Sequence, residues 1–215
     1  MTLYPILLNL KGKKVVIVGG GEVALRKLKD LLDAGARITL VAPEIHGEIM
    51  GLAESNEESI SLIKREFRSG DLEGASLAFS ATNNPEVNAS VFAEARERGI
   101  FINAADDPPN CSFYLPSWGR RGDFILAVST SGASPALAAR LRRELERHIP
   151  EGIADMLEAL RESRRLLQED DSFRDLDSSA RGEIIKKIAN DDRLLEDCAR
   201  AFREGRLEEF LKGVK

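Results

Sequence analysis

Apolar residues fall along this chain in two rhythms, and the change from one to the other divides it. As far as about residue 115, short apolar blocks rich in β-branched side chains alternate with stretches of helical spacing. Strands are predicted at Lys14–Val18, Arg37–Val41, Ser61–Phe67, Leu77–Ala81 and Ile100–Ala104, with helices over Val23–Leu32 and Pro85–Arg98. Such alternation predicts an α/β fold with a doubly wound parallel sheet. A further strand, Phe124–Val128, leads through Ser129–Pro135 into a helix over Ala136–Arg147, where Ser134 suits the N-cap and Pro135 the first helical position. From Pro150 onward the pattern is only amphipathic: Ile153–Gln168, Ala180–Ala189, Asp192–Arg203 and Arg206–Lys212. This predicts a C-terminal helical domain whose mixed-sign charges read as solvated faces.

The first strand stops abruptly in Gly19-Gly20-Gly21-Glu22-Val23-Ala24. That is the layout of a Rossmann-type dinucleotide-binding turn. Gly19 permits the tight exit from the strand, Gly21 lets the backbone approach a pyrophosphate, and small Ala24 lets the next helix pack on the sheet. A Gly-x-Gly-x-x-Ala match alone also fits an ordinary βα turn, but here a strand precedes it, a helix follows and a second strand completes the βαβ unit. The second strand ends Val41-Ala42-Pro43-Glu44, with no Arg or Lys adjacent. An acidic side chain there accepts from ribose hydroxyls, so Glu44 favours NAD over its 2′-phosphorylated relative, unless Pro43 turns it away.

Composition narrows the functional classes. The 215 residues exceed one typical domain, and 43% hydrophobic with 31% charged residues is ordinary for a globular protein. A net charge of −5 argues against general nucleic-acid affinity. No apolar run approaches the roughly 20 residues needed to span a bilayer, and the N-terminus lacks the basic flank of a signal peptide, so a cytoplasmic location without membrane attachment is expected. Cys111 and Cys198 make no disulfide framework, and with two histidines, His46 and His148, no metal site is expected.

Ligands in open α/β sheets collect outside the carboxyl ends of the strands. Two loops qualify: Ala81-Thr82-Asn83-Asn84-Pro85, whose Thr82 and Asn83 are candidates for the cofactor site, and Asn103-Ala104-Ala105-Asp106-Asp107-Pro108-Pro109. The paired carboxylates in the second can supply a base, if burial raises a pKa toward neutrality. The same run also fits a plain turn. Cys111 reads as a small buried residue rather than a reactive thiol.

Taken together, Tyr4-Pro5-Ile6, Val18-Gly19-Gly20-Gly21-Glu22-Val23-Ala24 with Arg26-Lys27, Val41-Ala42-Pro43-Glu44, Ala81-Thr82-Asn83, Asn103 with Asp106-Asp107-Pro108, Ser112-Phe113 with Pro116, and Ala127-Val128-Ser129 with Gly132 and Ser134-Pro135 resemble the precorrin-2 dehydrogenase family, which includes the N-terminal module of sirohaem synthase. The resemblance covers roughly residues 1 to 150. It implies NAD-dependent oxidation of precorrin-2 to sirohydrochlorin. Position by position it implies Asp106 as the catalytic residue, Glu22-Val23 and Pro43-Glu44 as NAD-contacting positions, and a homodimer formed through a central segment. The implied division is an NAD-binding Rossmann domain over 1–115, a central dimerisation segment over 116–149 and the helical domain over 150–215. Since precorrin-2 is a polycarboxylate, Arg120-Arg121, Arg140 and Arg142-Arg143 are candidate contacts, against solvated helix faces as the plain alternative, while Arg26-Lys27 fits an exposed helix face. Two other readings stay open: a bifunctional chain that also inserts iron into sirohydrochlorin, and an NAD-sensing Rossmann module without chemistry.

Overall fold

The computed structural model describes residues 3–105 and 107–214. The chain divides into two compact units, Met1–Leu115 and Pro116–Lys215.

In the first unit, β1 (Lys14–Val18) is an unbroken apolar run because it is covered on both faces, and Val15, Val16, Ile17 and Val18 are all buried. It forms the centre of a five-stranded sheet with β2 (Arg37–Val41), β3 (Ile60–Ile63), β4 (Leu77–Ser80) and β5 (Phe101–Ala104), in the order β3-β2-β1-β4-β5. Every pairing is parallel. Val15 and Ile17 face a layer built from α1 (Glu22–Asp33) and α2 (Gly47–Ser55), with Leu28 and Ile49 fully buried. Val16 and Val18 face the opposite layer, where α3 (Pro85–Glu97) contributes Val91 and Ala95. The expected doubly wound sheet is therefore present. Each fully buried Leu, Ile or Val contributes about 1.5–3 kcal/mol relative to exposure.

Register sets the working edge. Val18 pairs with Val41 and Ser80, and Ser80 with Ala104, so four strands end level. The chain segments that follow Val18, Val41, Ser80 and Ala104 consequently open on one side of the sheet.

The second unit begins with an antiparallel hairpin of β6 (Ser117–Arg121) and β7 (Phe124–Val128). Its two-residue turn places Gly122 at φ +58°, which suits the glycine-first turn of a two-residue hairpin. Helix α4 (Pro135–Glu146) follows, its N-terminus capped by the Ser134 hydroxyl, which accepts from the Leu137 amide. Then come α5 (Ile153–Glu169), α6 (Ser178–Ala189), α7 (Asp192–Arg203) and α8 (Leu207–Val214), packed around Leu167, Phe173, Ile188 and Leu211.

Three elements depart from the pattern reading. The third strand stops at Ile63, where its pairing with β2 runs out, and Phe67 reaches the core from a loop instead. That loop is held by Arg65, whose guanidinium grips Asp71 with bonds of 2.7 and 2.6 Å. Helix α2 is unpredicted because Gly47 and Gly51 weaken its propensity and only Ile49 and Ala53 are buried. Strand β6 is unpredicted because its arginines mask it, and it owes its conformation to pairing with β7.

Candidate cofactor site and neighbouring loops

The turn after β1 is shaped by close backbone approach on two sides. Gly19 adopts φ +122°, and a Cβ there would stand 2.1 Å from the Ala81 carbonyl oxygen. A Cβ on Gly20 would stand 2.1 Å from the Glu44 carbonyl oxygen. The loops after β4 and β2 thus press on the first two glycines. Gly21 differs, since a Cβ there meets nothing within 4 Å. It is also the N-cap of α1, and it provides no side chain to cap the helix. By contrast the Asn84 side chain caps α3, accepting from the Glu86 and Val87 amides. The first turn of α1, with Glu22, Val23 and buried Ala24, therefore presents its amides beside free space, the arrangement that receives a phosphate. These residues fit the pyrophosphate of a dinucleotide.

The segment after β2 is drawn over this turn. The Gly19 amide donates to the Val41 carbonyl at 2.9 Å, and the His46 amide donates to the Gly20 carbonyl at 2.8 Å. Pro43 and Glu44 are exposed at the rim. Unforeseen in the sequence is His46, whose Nδ1 accepts from the Glu48 amide at 3.2 Å while Nε2 lies 3.1 Å from Glu22 Oε1. Glu48 in turn holds Lys29 at 2.9 Å, and that cation keeps the Glu48 carboxyl below the usual range. No spacing rule marks the pairing of His46 with Glu22, because the acid comes from a different strand-helix unit.

Thr82 and Asn83 line an open cleft of about 800 Å³ together with Asn84, Pro85 and Glu86. The Thr82 hydroxyl accepts from the Asn84 amide at 2.8 Å, and its carbonyl accepts from Asn88 Nδ2 at 3.1 Å. Asn88 Oδ1 also receives the hydroxyl of buried Ser80 at 2.6 Å. The loop is thereby fixed from beneath by the first turns of α3.

Asp106, the predicted catalytic residue, lies outside the described residues. The return segment beyond it is stitched to β5. Cys111 Sγ lies 3.2 Å from the Ala104 amide and 3.3 Å from the Ala104 and Asp107 carbonyls. Burial pushes this thiol up in pKa, so it stays protonated and donates. Ser112 spans the Ile102 amide and carbonyl with its own hydroxyl and amide, and Asn103 Nδ2 donates to the Phe113 carbonyl at 3.0 Å. Asp107 accepts from Asn110 Nδ2 at 2.7 Å, which engages one of its carboxylate oxygens in the loop.

Three comparisons bear on this geometry. Residues 6–117 match a family model described as "Putative NAD(P)-binding", and residues 126–148 match one described as "Sirohaem biosynthesis protein central". A solved structure titled "SirC, precorrin-2 dehydrogenase" superposes with a TM-score of 0.76 at 29% identity, covering 99% of this chain and 98% of that one. The chain belongs to the family of that NAD(P)-binding model. Among curated relatives, Siroheme synthase 1 of Aeromonas salmonicida is 44% identical over 151 residues, covering 70% of this chain and 32% of its own length. The Siroheme synthase of Pseudoalteromonas translucida is 42% identical over 156 residues, covering 73% and 33% respectively. The chain thus spans about a third of the length of these relatives.

Within this chain the candidate basic residues separate. Arg121 reaches the C-terminal end of α4, donating to the Glu146 and Ile149 carbonyls. Arg142 pairs with Glu146 and donates to the Ser117 hydroxyl, and Arg140 lies 3.5 Å from Glu144. Arg120 and Arg143 make no ion pair among the described residues. Lys27 corrects the reading of Arg26-Lys27 as an exposed face. Its ammonium sits 5.7 Å above the Phe79 ring, which stacks edge-on with Phe113 at 5.6 Å, and burial is the main cause that lowers its pKa. No helix among the described residues is long and apolar enough to cross a membrane.

Proposed function

We propose that the chain oxidises precorrin-2 to sirohydrochlorin with NAD. The observation that carries this reading is the level strand edge, where an uncapped glycine turn with free space at Gly21 opens on the same side as the cleft at Thr82 and Asn83 and the segment after Ala104. Its support is the SirC precorrin-2 dehydrogenase likeness across nearly the whole chain and the sirohaem synthase relatives across residues of the same region.

In this reading Gly19 and Gly21 bring the backbone close to the pyrophosphate, and the Glu22, Val23 and Ala24 amides at the start of α1 bind it. Pro43 and Glu44 border the adenosine ribose. Without a cationic side chain beside them, this rim favours NAD. Thr82 and Asn83 line the neighbouring cleft. Bound NAD⁺ supplies the hydride acceptor, so that precorrin-2 and NAD⁺ yield sirohydrochlorin, NADH and a proton. Asp106 takes that proton as general base. The proposal includes a cytoplasmic homodimer joined through the central segment, which half-exposed Leu137 and Leu145 on α4 support.

The test is anaerobic NADH formation on mixing the protein with NAD and freshly generated precorrin-2. Appearance of NADH together with a sirohydrochlorin spectrum is expected, and Asp106→Ala is expected to lower turnover about 10²–10⁴-fold while keeping NAD affinity. Demonstrable NAD binding without NADH or product overturns the enzyme in favour of a sensor. Full turnover by Asp106→Ala removes the base from position 106.

A further inference from the structure

Glu22 is the first residue of α1, where the positive end of the helix draws carboxylates toward the amides of the first turn. Those are the same amides that a pyrophosphate needs. The Glu22 side chain is 80% exposed, so packing alone does not hold it aside. What holds it is His46. With Nδ1 occupied as acceptor for the Glu48 amide, the ring proton resides on Nε2, which lies 3.1 Å from Glu22 Oε1. The same residue's amide donates to the Gly20 carbonyl at 2.8 Å, fixing its backbone to the glycine turn. His46 therefore grips the turn by main chain and diverts its acid by side chain.

We propose that His46 is a positioning residue of the cofactor site, which draws the Glu22 carboxylate off the first turn of α1 and keeps that turn's amides available to the dinucleotide pyrophosphate. The inference rests on the NAD reading above. Without the imidazole, the carboxylate competes with the phosphate for the helix end. Carboxylate and phosphate are both anions, so the competition weakens cofactor binding without altering the chemistry that follows it.

The test is calorimetric titration of the full chain with NAD for the wild type, His46→Asn, Glu22→Ala and the double variant. Asparagine at 46 keeps an N-cap acceptor for the Glu48 amide but is too short for Glu22. His46→Asn is expected to raise the Kd for NAD about fivefold, the scale of one exposed pairing. The double variant is expected to match Glu22→Ala within twofold, because removing the competing acid removes the need for its restraint. In turnover assays the His46→Asn loss falls on KM for NAD and not on kcat. Unchanged affinity in His46→Asn overturns the proposal, and so does a fivefold loss that persists undiminished in the Glu22→Ala background, which marks a merely structural role. A wild-type chain that binds no NAD fails in the first titration and takes down the cofactor reading together with this proposal. Thermal melts of each variant separate lost binding from lost folding.

Discussion

Substituting alanine at Gly19 and at Gly21 should damage the protein in two different ways. At Gly19 the new Cβ falls 2.1 Å from the Ala81 carbonyl oxygen, which is backbone and lies roughly 1 Å nearer than a Cβ can tolerate. The residue also sits at φ +122°, where a side chain is strained. Backbone strain of about 1–3 kcal/mol and overpacking of about 1–3 kcal/mol together give a loss of about 2–6 kcal/mol. For a chain of this size that is a fall in Tm of roughly 4–24 °C. At Gly21 the Cβ meets nothing within 4 Å, so Gly21→Ala should cost about 1 kcal/mol or less as an imperfect N-cap. Its methyl group would instead stand where the pyrophosphate approaches, and affinity for NAD should fall about tenfold or more. Urea unfolding and NAD titration on both variants separate the two effects. A Gly19→Ala protein within about 0.5 kcal/mol of wild type would refute the packing argument, and a Gly21→Ala protein with unchanged NAD affinity would refute the assignment of the open space.

Buried Glu94 accepts from the Gly70 and Leu72 amides and pairs with Arg98 at 2.8 Å, so Glu94→Ala should cost about 2–4 kcal/mol in urea unfolding without changing NAD affinity. The Arg65 guanidinium holds the Asp71 carboxyl below its ordinary 3.8, a stabilisation present above that pH and lost as pH falls through the lowered value. Asp71→Asn should therefore cost about 2 kcal/mol at neutral pH and lose that deficit in acid, measured as unfolding free energy against pH. Since burial raises the Cys111 thiol, iodoacetamide should modify it at pH 8 about tenfold more slowly in the native chain than in urea, and an equal rate would remove the protonated donor from the loop after β5.

What could be read from residues alone depended on how local the cause was. The glycine turn was legible because β1 is buried on both faces and breaks without transition into Gly19, Gly20 and Gly21. The rule that ligands gather at strand ends selected the Thr82 loop, whose capping by Asn84 is also a sequence-local signal. Phe67 misled because an apolar residue can serve the core from a loop as well as from a strand. Helix α2 was hidden by its glycines, and β6 by arginines whose strand conformation comes from pairing with β7. Lys27 and His46 were invisible for a shared reason, since each is defined by an aromatic ring or a carboxylate that only tertiary folding brings near.

The stitching of Cys111 and Ser112 onto β5 has a bearing on solubility. A strand at the end of a sheet exposes a ladder of amides and carbonyls that another chain can extend. On β5 that ladder is already occupied: the Ile102 amide and carbonyl go to Ser112, and the Ala104 amide and carbonyl go to Cys111. Phe101 remains 50% exposed beside them, an apolar invitation on a rim with few backbone partners left to offer. The short return segment thus serves as a selvedge, finishing the sheet so that copies of this chain meet no ready template for edge-to-edge aggregation there.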